Sequence, residues 1–233
     1  MSGVLLTAAE KANQLVRPWR GVSATERTAG RRELLLGAGL EVFATRGYAN
    51  SSVREVCREA GLTERYFYES FSDRQALLKA IADGIVEGFL AAAAPVLPLL
   101  ESDLPRAAHE GAAAFVASLA DDPRRARILL VESVGVSPSA EDHRRAVFTH
   151  LVAFLREAAA LAFGAWVRDS AEFEIVARAV IGGGQELLVA HVRGELQIER
   201  EELVASLAQL FVSAGPIVAA LADKDPFPTT KEP

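Results

Sequence analysis

Ser52 to Phe71 reads SVREVCREAGLTERYFYESF, two short helical patterns hinged at a glycine and closed by an aromatic cluster. Val53, Val56, Cys57 and Ala60 fall at i, i+3, i+4 and i+7, so four small or apolar side chains share one helical face. Arg54, Glu55, Arg58 and Glu59 then face water or a partner. Ser52 followed three residues later by Glu55 has the spacing of a capping box, in which each side chain satisfies a backbone N–H left open at the helix start. Gly61 follows the last apolar position, where a positive φ ends a helix without a Cβ penalty. Thr63 is placed to cap a second helix over Glu64 to Glu69, and Ser72 with Gln75 repeats the capping spacing for a third. Two helices joined by so tight a turn form a helix-turn-helix, whose second helix can lie in the DNA major groove while the first crosses the phosphates.

The flanks supply a frame for this unit. A helix is predicted from about Thr28 to Thr45, with Leu35, Ala38 and Val42 on one stripe, Leu36 and Phe43 beside it, and Gly47 beyond its end. The helix opened at Ser72 continues through Leu77, Leu78, Ile81, Ile85 and Phe89 until Pro95, where a proline removes a backbone bond and clashes with the preceding turn. Five more helices are predicted: Asp103 to Asp121, Pro123 to Val134, Pro138 to Phe163, Ala171 to Arg193 and Arg200 to Ala222. Pro105, Pro123 and Pro138 lie at or near helix starts, where the missing N–H costs nothing.

Composition agrees with an all-α protein. The chain has 233 residues, 50% of them hydrophobic and 7% aromatic, and alanine dominates the apolar set. No alternating pattern competes for strand. The run from Gly88 to Leu100 is broken by Pro95 and Pro98 and is shorter than the roughly 18–20 residues of a membrane span, so no span is expected. No basic stretch followed by an apolar run and a small-residue cleavage site opens the chain, and a cytoplasmic location is expected. A single cysteine, Cys57, forms no internal disulfide, and it sits on the apolar face of the first reading helix as a small packing residue. His109, His143, His150 and His191 are scattered, so neither a metal site nor a cofactor is expected.

A net charge of −6 argues at first against a nucleic-acid partner. Divided at residue 80, the chain resolves the difficulty: residues 1–80 hold 12 Lys or Arg against 9 acids, and residues 81–233 hold 13 against 22. The positive excess lies on the segment expected to touch phosphates. Lys11, Arg17 and Arg20, in an arm before the first helix, either reach a groove or belong to a solvated tail anchored by Trp19.

From Arg31 to Ala80 the motifs A-x-x-x-F-x-x-x-G-Y, V-x-x-V, A-G-L-T and F-Y-x-x-F follow in order, and the segment resembles the DNA-binding domain of the tetracycline-repressor-like (TetR) family of bacterial regulators. Glu64, Arg65, Glu69 and Ser70 depart from residues frequent in that family. The resemblance implies phosphate contacts at Ser52, Tyr68 and Arg74, and groove-facing positions at Arg54, Thr63, Glu64, Arg65 and Tyr66. Arg54 and Arg65 have the geometry to give guanine two hydrogen bonds. It also implies a homodimer on operator DNA, no enzymatic activity, and a larger helical domain enclosing a small inducer. Occupation of that domain is expected to shift the helix that links it to the reading head. The resulting division is an arm at 1–27, a three-helix helix-turn-helix domain at 28–76, a ligand-binding and dimerisation domain at 77–222, and a tail at 223–233.

The last two helices carry wide apolar surfaces, and a four-helix dimer interface is expected from Val180, Gly184, Leu187, Leu188, His191, Leu207, Leu210, Phe211, Ala214 and Ile217. Gly182, Gly183 and Gly184 cost a helix roughly 1 kcal/mol each relative to alanine, which close helix approach or a cavity-shaping kink would offset. For the inducer, the candidates are aromatic and polar groups on otherwise apolar faces: Phe89, Phe115, Glu132, Phe148, Phe154, Trp166 and Gln185. Ordinary core packing competes with ligand contact at each. Two rival functions remain: a constitutive DNA-binding module without an inducer, and a helical enzyme, which would need convergent titratable groups in a deep pocket.

Overall fold

The computed structural model describes residues 23–132 and 137–222, and all regular structure among them is helical. The α-helices are α1 (Ala24–Arg46), α2 (Val53–Ala60), α3 (Glu64–Ser70), α4 (Arg74–Ala93), α5 (Leu104–Ala120), α6 (Pro123–Arg127), α7 (Pro138–Phe163), α8 (Ala171–Val192) and α9 (Arg200–Ala222). Short 3-10 segments cover Ala94–Leu100 and Ala165–Asp169, and a π turn covers Ile128–Glu132. The all-α expectation is met. The chain divides into two compact units after Ile81, within α4. Lys11, Arg17, Trp19 and Arg20 lie outside the described residues, as does the tail from residue 223.

In the first unit, α1 begins four residues before the predicted start. Ser23 and Glu26 form a reciprocal capping box, with Glu26 N–H donating to Ser23 Oγ at 3.1 Å and Ser23 N–H donating to the Glu26 carboxylate at 2.7 Å. The second predicted cap also moves. Asp73, not Ser72, accepts the Ala76 N–H at 2.8 Å, and α4 starts at Arg74. A carboxylate one residue further on outcompetes the hydroxyl because it is the stronger acceptor. Leu35, Val42, Phe43, Val56, Phe67 and Leu77 build the core beneath these helices. At Gly39 a Cβ would stand 2.8 Å from Leu77 and 2.9 Å from Ile81, so α4 crosses α1 where a side chain is missing.

In the second unit, Asp103 and Ser137 cap α5 and α7 through the N–H groups of Arg106 and Ala140, with Pro105 and Pro138 in the opening turns. Val152, Ala159, Val167, Phe173 and Ala177 form one apolar cluster, and Val96, Leu100, Ala107 and Ala158 another. Gly215 admits the Phe163 ring, which a Cβ there would approach to 2.3 Å. Pro123 to Val134 is not one helix: α6 ends at Arg127 and passes into the π turn, and residues 133–136 lie outside the described set.

The expectation about apolar length needs correction. Arg74–Leu100, Ala140–Phe163 and Ala171–Val192 are each long and apolar enough to cross a membrane by length and composition. The helical path continues past Pro95 as a 3-10 segment, and alanines keep mean hydropathy high between sparse charges. Phe89, Phe154 and Ile181, one from each of these segments, line a common cavity inside the second unit.

Candidate functional site

The reading unit is set by local chemistry. Ser52 Oγ accepts the Glu55 N–H at 3.2 Å and donates to the Glu55 carboxylate at 2.9 Å, which together with Arg46 at 2.6 Å holds that carboxyl below its usual range. Gly61 takes φ +65°, and Leu62 N–H reaches back to Cys57 carbonyl at 2.9 Å, closing α2. Thr63 occupies the N-cap position of α3 but makes no side-chain cap bond, contrary to expectation. The Cys57 thiol is buried, and burial followed by the nearby Glu64 charge pushes its pKa up, so it stays a protonated packing group.

Ser52, Arg54, Thr63, Glu64, Arg65 and Tyr68 are all exposed on α2, the turn and α3. Tyr68 is 57% exposed, unusual for an aromatic, and meets Phe67 edge-on at 5.4 Å. Tyr66 is half-buried beneath the Arg31 guanidinium, 4.5 Å from its ring. Glu69 accepts from Arg65 at 3.2 Å and from Arg31 at 3.4 Å, which ties α3 to α1. The Arg65–Glu69 spacing was legible as an i, i+4 pair, but the Arg31 contact spans 38 residues and had no local signal.

Arg74, expected at a phosphate, makes its contacts here within the unit. It donates from one guanidinium nitrogen to the carbonyls of Tyr48, at 2.8 Å, and Ser51, and to Ser51 Oγ at 3.2 Å, and it stacks over the Tyr48 ring. It clamps the turn between α1 and α2 from within. Ser52 keeps both an exposed hydroxyl and a capping role, which substitution separates. Ser52→Ala should cost about 0.5–2 kcal/mol of stability, whereas Ser52→Gly should cost only a few tenths, and both should lose any phosphate contact. Denaturant melts alongside DNA titrations measure this; equal stability of the two variants would contradict the cap.

The second unit holds a partly open cavity of about 170 Å³, walled by α4, the Ala94–Leu100 segment, α5, α7, α8 and α9. Phe89, Phe115 and Phe154 all lie in its wall, with Phe89 edge-on to Phe115 at 5.5 Å and to Phe154 at 6.1 Å. The other four inducer candidates are not in that wall. Glu132 pairs with Arg127 at 3.1 Å. Phe148 packs on the Val152–Phe173 cluster, Trp166 is 42% exposed with its indole N–H on the Phe163 carbonyl at 2.8 Å, and Gln185 is half-buried elsewhere on α8. Gly111, Ala112, Leu151 and Leu155 line the cavity and were missed, because alanine and leucine carry no local mark of a site.

The faces of α8 and α9 also sort differently from the sequence expectation. Gly184, Leu188, Leu207 and Ala214 are buried within the subunit, and Val180, Gly184, Leu207 and Phe211 line the cavity. These positions face the interior of their own unit. Leu187 and His191 are half-buried. Leu210 and Ile217 face outward, at 36% and 50% exposure, joined by Ile175 at 70%. A Cβ at Gly184 would stand 3.3 Å from Leu207, so this glycine serves close approach of α8 to α9; Gly182 and Gly183 have open space. Among the described residues no three His, Cys, Asp or Glu side chains gather as metal ligands.

Residues 35–81 match the family described as "Bacterial regulatory proteins, tetR family". That match and the first unit end at the same residue, Ile81. The chain is 33% identical over 61 residues to the uncharacterized HTH-type transcriptional regulator YvdT of Bacillus subtilis (strain 168), covering 26% of this chain and 31%, about a third, of that relative's length. Its fold is similar to that of a putative TetR-family regulator from Syntrophomonas wolfei, with a TM-score of 0.69 at 18% identity over 81% of this chain and 96% of the other. It is also similar to FadR from Bacillus subtilis, solved in complex with stearoyl-CoA, with a TM-score of 0.65 at 15% identity over 78% and 98%. Residues 35–81 thus carry the signature of the tetR family of bacterial regulatory proteins, on an all-helical fold shared with those solved structures.

Proposed function

We propose that this chain is a DNA-binding transcriptional regulator, acting in the cytoplasm as a homodimeric repressor whose operator affinity responds to a small apolar ligand, without catalysis. The observation that carries the DNA reading is the exposed row of Arg54, Thr63, Arg65 and Tyr68 on a helix-turn-helix matched to the family. Phosphate contacts set register, and the two arginines read base edges. Exposed Ile175, Leu210 and Ile217 support pairing of α8 and α9 across a two-fold axis, which would set two reading helices about 34–36 Å apart on DNA. The cavity supports an effector over a constitutive regulator, and stearoyl-CoA in the FadR neighbour is a precedent for a ligand in this fold.

Selection from random duplex DNA, with an Arg65→Ala, Tyr68→Phe variant in parallel, tests the reading. The wild type should recover a palindrome that the variant fails to select, and log affinity should fall with log salt at a slope of roughly −0.9 per phosphate contacted. No enrichment at low salt would refute the DNA reading. A monomer mass by sedimentation at working concentration would remove the homodimer.

A further inference from the structure

We propose that the cavity takes an uncharged, apolar molecule of about single-ring size and discriminates against carboxylates and acyl-CoA thioesters. This rests on the ligand-responsive reading above and names the chemical class of the ligand.

Among the described residues the wall holds only Phe, Leu, Ile, Val, Ala and Gly, so none of these side chains donates or accepts a hydrogen bond. The wall's backbone is helical, so most of its N–H and C=O groups are spent within the helices. A polar group brought inside would therefore shed water and gain no partner. An anion would need a cation to hold it, and none stands among the described residues of the wall. The surrounding unit's described residues contain no lysine, and each of their eleven arginines lies within 4.0 Å of a carboxylate. Its four histidines all lie outside the wall.

Size points the same way. An engineered apolar cavity of about 150 Å³ stays dry and binds benzene, and the cavity here measures about 170 Å³. Phe89, already edge-to-face with both Phe115 and Phe154, and those two rings offer a further ring both edges and faces. Recognition is then by shape and dispersion, and it differs from that of a charged coenzyme thioester such as the one in the FadR neighbour.

Calorimetric titration of the full-length protein with toluene, sodium hexanoate and hexanoyl-CoA tests this, with melting temperature as a second readout and Ala112→Leu and Ala158→Val as variants that narrow the cavity. Toluene is expected to bind saturably and raise the melting temperature, with both anions weaker by on the order of 100-fold. The folded variants should lose toluene binding. Hexanoate or hexanoyl-CoA binding as tightly as toluene would overturn the proposal, as would the absence of saturable toluene binding to the wild type. Saturable toluene binding that leaves operator affinity unchanged would uphold the ligand class and sink the ligand-responsive reading instead.

Discussion

Phe67→Ala should unfold the reading head at temperatures where the rest of the chain stays folded. The Phe67 ring is fully buried, lies 5.9 Å from Phe71 in a tilted pair, and stands edge-on to the exposed Tyr68. Truncating a buried phenylalanine costs about 3–5 kcal/mol, the lost transfer energy plus the cavity left behind. In a unit of this size each kcal/mol lowers the melting temperature by roughly 4–8 °C, so a fall of well over 10 °C is expected in the first unit's transition. Operator binding should vanish with it, because α3 is only seven residues long and has no stability of its own away from that core. Phe67→Leu, nearer in volume, should cost about 1.5 kcal/mol or less and keep binding. A Phe67→Ala protein that melts like the wild type would mean the ring does not hold α3 in place.

Arg74→Ala is the second large effect, and it separates two uses of one residue. As a phosphate contact, Arg74 would leave stability alone when removed and flatten the salt dependence by about one unit of slope. As the internal clamp seen here, its loss takes the charged donor from the Tyr48 and Ser51 carbonyls, the first of which keeps the Ser51 N–H and hydroxyl, and uncovers one side of the Tyr48 ring. Hydrogen bonds to a charged group are worth about 1.5–3 kcal/mol, and they share one guanidinium, so about 2–4 kcal/mol of destabilisation is expected in total. The salt slope of the folded fraction should not change. A spectroscopic sign accompanies it: burial raises the Tyr48 phenol above its usual range while Arg74 opposes that rise, so removing the arginine should shift the phenol's titration. Unchanged stability with a flatter salt slope would return Arg74 to the phosphates.

The residues that carried the reading from sequence did so through short-range physics. Capping spacing at Ser52, the positive-φ glycine at 61, prolines at 105, 123 and 138, and i, i+3, i+4 stripes all act within one or two turns of chain. They located α2, α3, α7 and α9 to within a residue or two. Competition between neighbouring caps was less legible, and Ser23 and Asp73 took roles assigned elsewhere.

By itself, the sequence determined an all-helical protein with a helix-turn-helix near its start, a positive bias on that segment, and which residues of α2 and α3 point away from the core. Only the tertiary structure decided the rest. Arg74 looks like any basic residue in a first helical turn until folding brings the carbonyls of Tyr48 and Ser51, 23 or more residues away, against it. Phe148 and Phe154 are equally aromatic, yet six residues turn them a third of the way round α7, one into a packed cluster and the other into the cavity wall. On α8 and α9 more than one face is apolar enough to bury. Which face turns inward, with Leu188 and Leu207, and which is left outward, with Ile175 and Ile217, depends on how neighbouring helices cross, and alanine-rich periodicity carries no record of that.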